Sequence, residues 1–166
     1  MIEDVCDTLY EAINWGLGEI RWFKRAEGEQ ADKMTATAAR QTAEVQTWLA
    51  GKLGTKPWFN GDSFGWADIG VAPYLNRSFH YGLGTPDRSS LAQWLERLRQ
   101  RPSVATTFKE FEAAAGSMGD GAQRLASGAI RREYRDHRLE WMMKSGGLQI
   151  VLDGLAKNNI RFTWPL

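Results

Sequence analysis

The chain has 166 residues, of which 43% are hydrophobic and 25% are charged, and its net charge is +1. This composition is typical of a folded domain, and the balanced charge gives no electrostatic basis for binding nucleic acid or an acidic membrane surface. The single cysteine, Cys6, excludes an internal disulfide, and no stretch approaches the roughly 18 apolar residues of a membrane span. The acidic start lacks the features of a secretory signal, so we expect a cytoplasmic location.

The first two predicted elements are long helices. Apolar residues recur at steps of three and four from Val5 to Phe23, and a second such pattern runs through residues 34–53, with Ala36, Ala39 and Ala43 on its stripe. The short polar segment between the two patterns predicts an antiparallel helical hairpin. The opposite face of the first helix carries polar and aromatic side chains, which include Tyr10, Asn14, Arg21 and Trp22.

A loop rich in Gly, Pro and Asn is predicted next, and helical spacing resumes at Gly65. If Gly65 is the N-cap, Asp68 is the third helical residue, and its carboxylate can accept a hydrogen bond from the backbone N–H of the cap. This carboxylate also lies at the positive end of the helix dipole. Phe64 and Ile69 then occupy the two positions of a hydrophobic staple. We therefore interpret Asp68 as a residue that stabilises the fold, not as a catalytic acid.

Further helices follow along the chain. Ser89 or Ser90 can cap one helix, which ends before Pro102, and Pro102 can begin another. The last segment carries a helical stripe of four residues: Ile130, Tyr134, His137 and Trp141. A short helix around residues 148–155 comes next, and the final residues alternate in a way that permits one extended strand. The fold class is therefore predicted to be all-α.

The run WFNGDSFGWADIGVAPYL, followed by LAQWLERLRQRPSV, resembles the C-terminal helical domain of the glutathione transferase superfamily. The residues that carry the resemblance are Gly61, Asp62, Phe64, Ala67, Asp68, Ile69, Trp94, Arg97, Arg101, Pro102 and Ser103. The chain departs from the family at Gly65, where Ser or Thr is usual. The resemblance covers about residues 1–115 and implies a glutathione-transferase-like helical bundle. Residues 116–166 then form an extra helical segment that packs on this bundle or on a partner.

The resemblance also bears on activity. In this family the glutathione site and its Tyr, Ser or Cys activator lie in an N-terminal thioredoxin-like domain, and the sequence has no βαβ pattern for one. The resemblance therefore implies no catalytic residue and no cofactor in this chain, with glutathione used only if such a domain is supplied. We expect Cys6 to be buried and inert, and no set of His, Cys, Asp and Glu residues has metal-ligand spacing.

In the family, the helix that corresponds to the first one lines the pocket for the hydrophobic co-substrate. The resemblance thus makes Tyr10, Asn14, Arg21 and Trp22 candidate ligand-binding residues. Three functions stay open: a non-catalytic relative that binds an apolar small molecule or a partner protein, the C-terminal part of a full-length transferase, and a protein–protein assembly module. A native start at Met1 would favour the module, and an upstream thioredoxin-like reading frame would favour the transferase. The expected partners are that missing domain or a second copy, with self-association through the apolar stripe of residues 120–166 favoured.

Overall fold

A computed structural model describes residues 1–130 and 137–157 of the chain. All regular secondary structure in these two ranges is helical, apart from an isolated antiparallel bridge between Trp58 and Gly61. The predicted all-α class is confirmed. The chain divides into two compact units, Met1–Gln123 and Arg124–Leu166.

The first unit begins with a continuous helical stretch over residues 2–21, which consists of two α-helical parts joined by a π-helical turn. Further helices follow it along the chain. The elements of the unit, in chain order, are α1 (Ile2–Val5), a π-helical turn (Cys6–Tyr10), α2 (Glu11–Arg21), α3 (Gly28–Leu53), α4 (Trp66–His80), α5 (Ser90–Arg99), α6 (Pro102–Gly116) and a 3₁₀ turn (Ser117–Asp120). The boundary between the two units falls within the next helix, α7 (Gly121–Ala126). The predicted helical hairpin corresponds to α2 and α3, which pack against each other. The long loop before α4 and the break before α5 also lie where the sequence predicts them.

Local signals define where α5 and α6 begin. Ser89 is the N-cap of α5, and its hydroxyl oxygen accepts a hydrogen bond from the backbone N–H of Ala92 at 3.1 Å. Pro102 is the first residue of α6, and Arg101 before it has an extended backbone. Proline is suited to this position because its missing N–H would have no partner in the first helical turn.

The buried face of α3 agrees with the predicted stripe in its second half, where Val45, Leu49 and Leu53 are buried, and differs from it in the first half. Ala36 and Ala43 are exposed, and the buried line instead runs through Ala38, Thr42 and Gln46. Polar groups fix this orientation: the side-chain amide of Gln46 donates hydrogen bonds to the Tyr10 hydroxyl at 3.1 Å and to the Leu83 carbonyl at 2.8 Å. A pattern of apolar residues alone does not contain this information.

The end of the first unit also lies beyond the predicted domain boundary at 115/116. That boundary coincides with the end of α6, but the compact unit continues to Gln123. Close packing at Gly121 accounts for the continuation. A β-carbon there would lie 3.2 Å from the Trp22 carbonyl oxygen and 3.4 Å from the Phe23 ring.

The second unit contains α8 (His137–Lys144) and α9 (Leu148–Ala156). Apolar side chains on both helices are exposed, including Trp141 (67%) and Ile150 (64%). Tyr134, the side chain of His137 and the predicted strand at residues 160–165 lie outside the described residues. In the ranges that the structure describes, no helix combines the length and the apolar character needed to cross a membrane.

Candidate functional site

Asp68 joins three segments of the first unit. Its side chain is fully buried, and its Oδ1 accepts hydrogen bonds from the Phe59 backbone N–H at 2.9 Å and from the Trp94 indole N–H at 2.7 Å. Its Oδ2 accepts one from the backbone N–H of Gly65, the N-cap of α4, at 2.9 Å. The carboxylate is thus held by the preceding loop, by the start of α4 and by α5. A buried carboxylate with three donors is a structural group.

The loop before α4 is held on its outer side by aromatic and arginine side chains. The ring of Phe64 lies edge-on to Trp58 at 5.5 Å between centroids, and the Arg101 guanidinium lies 4.0 Å from the Phe64 centroid. Arg97 donates a hydrogen bond to the Pro57 carbonyl at 3.1 Å. Ile69, the other predicted staple residue, is 48% exposed. The staple between Phe64 and Ile69 stays a prediction.

Steric contact with a neighbouring side chain explains why glycine, and not Ser or Thr, caps α4 at position 65. Its backbone is extended, with φ −151° and ψ −167°, so any residue could adopt its conformation. A β-carbon at Gly65, however, would lie 2.7 Å from Cγ and 2.8 Å from Cβ of Asn60. The side chain of Asn60 therefore occupies the space that a capping Ser or Thr would need.

Two of the four predicted ligand-binding residues are part of the core. Tyr10 and Asn14 have no exposed surface, which corrects the expectation that they lie on an open face. The side-chain amide of Asn14 donates to the Tyr74 carbonyl at 3.1 Å, and its oxygen accepts from the Ser78 hydroxyl at 3.3 Å. The cause is that this helix packs against both α3 and α4, so its buried arc is wider than one stripe.

The other two predicted residues, Arg21 and Trp22, lie together at the end of α2 with two residues from the end of α4. Trp22 and Tyr81 are 5.6 Å apart between ring centroids. The Arg77 guanidinium lies over Trp22 at 5.3 Å, and that of Arg21 lies over Tyr81 at 5.9 Å. We call these four residues the arginine–aromatic cluster. The sequence analysis missed Arg77 and Tyr81, because no spacing along the chain relates α4 to α2.

Three side chains with a thiol or phenol group, Cys6, Tyr10 and Tyr74, are poorly suited to act as nucleophiles or bases. Cys6 is fully buried, and this burial raises the pKa of its thiol to about 12. Burial likewise raises the pKa of the Tyr10 hydroxyl to about 12. Tyr74 donates a hydrogen bond to Asp7 at 2.5 Å, and burial together with this bond raises the pKa of Tyr74. All three side chains therefore stay protonated at neutral pH, and those of Cys6 and Tyr10 are also inaccessible.

A separate depression of about 300 Å³ lies between α2 and α3. Its lining is mostly apolar or small, with Lys33 as the charged member, and consists of Ala12, Ile13, Gly16, Leu17, Ile20, Lys33, Met34, Thr37, Ala38 and Gln41. None of the four predicted ligand-binding residues lines it. His80 stacks edge-on against Phe111 at 5.0 Å, and no group of three His, Cys, Asp or Glu residues in the described ranges could hold a metal ion.

Comparison with known proteins gives a consistent result. The model of the family described as "Glutathione S-transferase, C-terminal domain" matches residues 13–102. Glutathione S-transferase GstB of Escherichia coli K12 is 32% identical over 88 residues, which make up 52% of this chain and 42% of the relative. A probable glutathione S-transferase of Nicotiana tabacum is 30% identical over 103 residues, or 58% of this chain and 43% of the relative.

Glutathione S-transferase U21 of Arabidopsis thaliana is similar to this chain to a comparable degree, with 29% identity over 104 residues. This match covers 60% of the chain and 44% of the relative. The chain thus spans about two fifths of the length of the curated relatives it matches. Because the family model covers more than half of the chain, the chain belongs to the family of glutathione S-transferase C-terminal domains.

Proposed function

We propose that this chain acts as the helical half of a glutathione-transferase-like protein and conjugates no glutathione by itself. In this proposal a thioredoxin-like domain supplies the glutathione site and its activating group. The helical domain supports that domain and contributes one wall of the co-substrate cleft. The relatives named as transferases extend well beyond the matched region, which leaves room in them for such a second domain.

The observation that carries the proposal is the state of Cys6 and the two tyrosines beside it. Conjugation requires a thiolate, so an active site must stabilise the ionised sulfur of glutathione. The thiol of Cys6 is inaccessible, and its burial raises its pKa to about 12. The hydroxyl of Tyr10 is buried and that of Tyr74 donates to Asp7, so neither offers a free donor to the ionised sulfur of glutathione. The thiol chemistry is therefore assigned to another domain.

The exposed face of α4 supports a docked domain. Trp66 is 73% exposed and Ile69, one turn later, is 48% exposed, with the exposed Pro73 a further turn along. Large apolar side chains on one exposed helix face are typical of an interface, and tryptophan is often its central contact. We infer that the thioredoxin-like domain contacts this face. The occupant follows from the family, because its members pair these two kinds of domain.

The test uses glutathione with the neutral electrophile 1-chloro-2,4-dinitrobenzene. The purified chain is expected to show only the uncatalysed rate, and iodoacetamide is expected to leave Cys6 unmodified in the native state. The chain is then fused behind the part of E. coli GstB that lies outside the match, and this fusion is expected to catalyse conjugation. Trp66→Ser should lower the activity of the fusion, whereas Met143→Ser, which changes an exposed apolar residue of α8, is the control.

Two results would contradict the proposal. One is conjugation by the chain alone that persists in Cys6→Ser, because this would place a thiol site in the helical domain. The other is a fusion that is folded by circular dichroism and binds glutathione but shows no conjugation with the electrophile.

A further inference from the structure

We propose that the arginine–aromatic cluster binds a planar aromatic carboxylate, so that the domain favours anionic aromatic ligands over neutral ones of the same shape. The inference rests on the proposed function, because Arg21 and Trp22 belong to the face assigned to the co-substrate cleft. It adds the chemical class of the ligand and two residues, Arg77 and Tyr81, that no spacing in the sequence indicates.

The four side chains of the arginine–aromatic cluster place two positive charges beside two aromatic rings. Two neighbouring rings, Trp22 and Tyr81, stand 5.6 Å apart, and a guanidinium lies over each of them. A guanidinium held over a ring by a cation–π contact still has N–H groups that are not used by that contact and can donate hydrogen bonds. These N–H groups match the two oxygens of a carboxylate, and the neighbouring aromatic rings suit a flat ligand body.

The second argument is the absence of counter-ions. Neither Arg21 nor Arg77 forms an ion pair with any residue that the structure describes. The nearby Arg25 differs, because it is paired with the buried Glu19 at 3.0 Å. The cluster therefore carries two positive charges that no acidic side chain in residues 1–130 and 137–157 neutralises through an ion pair.

A third observation concerns Arg77 alone. Its Nε atom is buried and has no hydrogen-bond acceptor within the described part of the chain. A buried donor without an acceptor is costly, and a protein normally satisfies it with a side chain, a water molecule or a ligand. A bound carboxylate would supply this acceptor only if the Arg77 side chain shifted, because its Nε has no surface open to solvent.

The alternative is that both arginines only complement helix dipoles. Arg21 lies in the last turn of α2 and Arg77 in the last turn of α4, where a positive charge is favourable. Arg99 provides a matched control, because it lies in the last turn of α5 and its guanidinium is 5.3 Å from the Phe79 ring. It donates a hydrogen bond to Asn76 and is not part of the cluster.

The experiment measures binding of two probes to the full chain by isothermal titration calorimetry. Naphthalene-2-carboxylate and naphthalene-2-carboxamide have nearly the same shape and differ in charge. The carboxylate is expected to bind about tenfold more tightly, which corresponds to about 1.4 kcal/mol. Arg77→Gln and Arg21→Gln should each remove most of this preference, and Arg99→Gln should leave it unchanged. Added salt should weaken the binding of the carboxylate alone.

Equal affinities for the two probes, no binding of the carboxylate, or the same loss in Arg99→Gln would each overturn the inference. If Arg77→Gln fails to fold, as judged by circular dichroism, the exposed Arg21→Gln decides the question. If the fusion conjugates the neutral electrophile but the full chain binds both probes equally, this inference is overturned and the proposed function stands. If the fusion is inactive but the full chain prefers the carboxylate, the proposed function is overturned and the preference for an anionic ligand stands.

Discussion

Replacement of Asp68 by Ala is expected to lower the free energy of unfolding by about 4 kcal/mol. A helix cap and its dipole contact alone are worth about 1–2 kcal/mol. The structure raises this figure, because the substitution leaves three donors without an acceptor: the N–H groups of Phe59 and Gly65 and the indole N–H of Trp94. Each buried donor left unsatisfied costs about 1–3 kcal/mol, and removing a buried carboxylate returns part of the sum.

Urea denaturation followed by far-ultraviolet circular dichroism measures the effect. With a slope of about 2 kcal/mol per molar urea, a loss of about 4 kcal/mol moves the midpoint by about 2 M. Asp68→Asn should lose less, because its remaining oxygen can still accept from Phe59 and Trp94 while its amide faces the N–H of Gly65. Asp62→Ala, an exposed acid in the same loop, is the control. A loss of less than about 1 kcal/mol in Asp68→Ala would show that the carboxylate does not hold the three segments together.

Two further predictions concern the cap of α4 and the second unit. Gly65→Ser is expected to destabilise the protein by about 1 kcal/mol in the natural sequence but to be neutral or stabilising in an Asn60→Gly background, which removes the side chain that the new β-carbon would meet. Chemical denaturation of the four variants tests this, and the same effect in both backgrounds would refute the steric explanation. The full chain is expected to form a dimer in sedimentation velocity experiments, and a double Trp141→Ser, Ile150→Ser variant to be monomeric, since exposed apolar surface of this kind favours association. A monomeric parent chain would contradict this proposal.

The order of the helices and several of their boundaries could be predicted because their signals are local, but α3 begins at Gly28 and not at the predicted residue 34. The extended residue before Pro102, the capping hydroxyl of Ser89 and the third helical position of Asp68 each depend on residues within one turn. The same local reasoning placed the loop before α4 correctly. These features therefore follow from sequence spacing and backbone chemistry alone.

Contacts between distant segments could not be predicted in this way. Trp94 lies 26 residues after the carboxylate it contacts, and Gln46 lies 36 residues after the hydroxyl of Tyr10. Neither pairing leaves a periodic trace in the sequence. The burial of Tyr10 has the same origin, since a second neighbouring helix widens the buried arc of the first. Likewise, Arg21 and Trp22 contact Tyr81 and Arg77 because α2 packs against α4, and this packing has no local signal in the sequence.

The segment at residues 54–65 also limits how this domain can change in length. Surface loops usually accept added or lost residues because few of their backbone groups have fixed partners. Here the backbone N–H groups of Phe59 and Gly65 both donate to the Asp68 carboxylate. The backbone carbonyl of Pro57 accepts a hydrogen bond from the Arg97 side chain. One inserted residue would displace at least one of these groups from its partner. A tag or a fused sequence should therefore be placed outside this loop, although the loop lies at the surface between two helices.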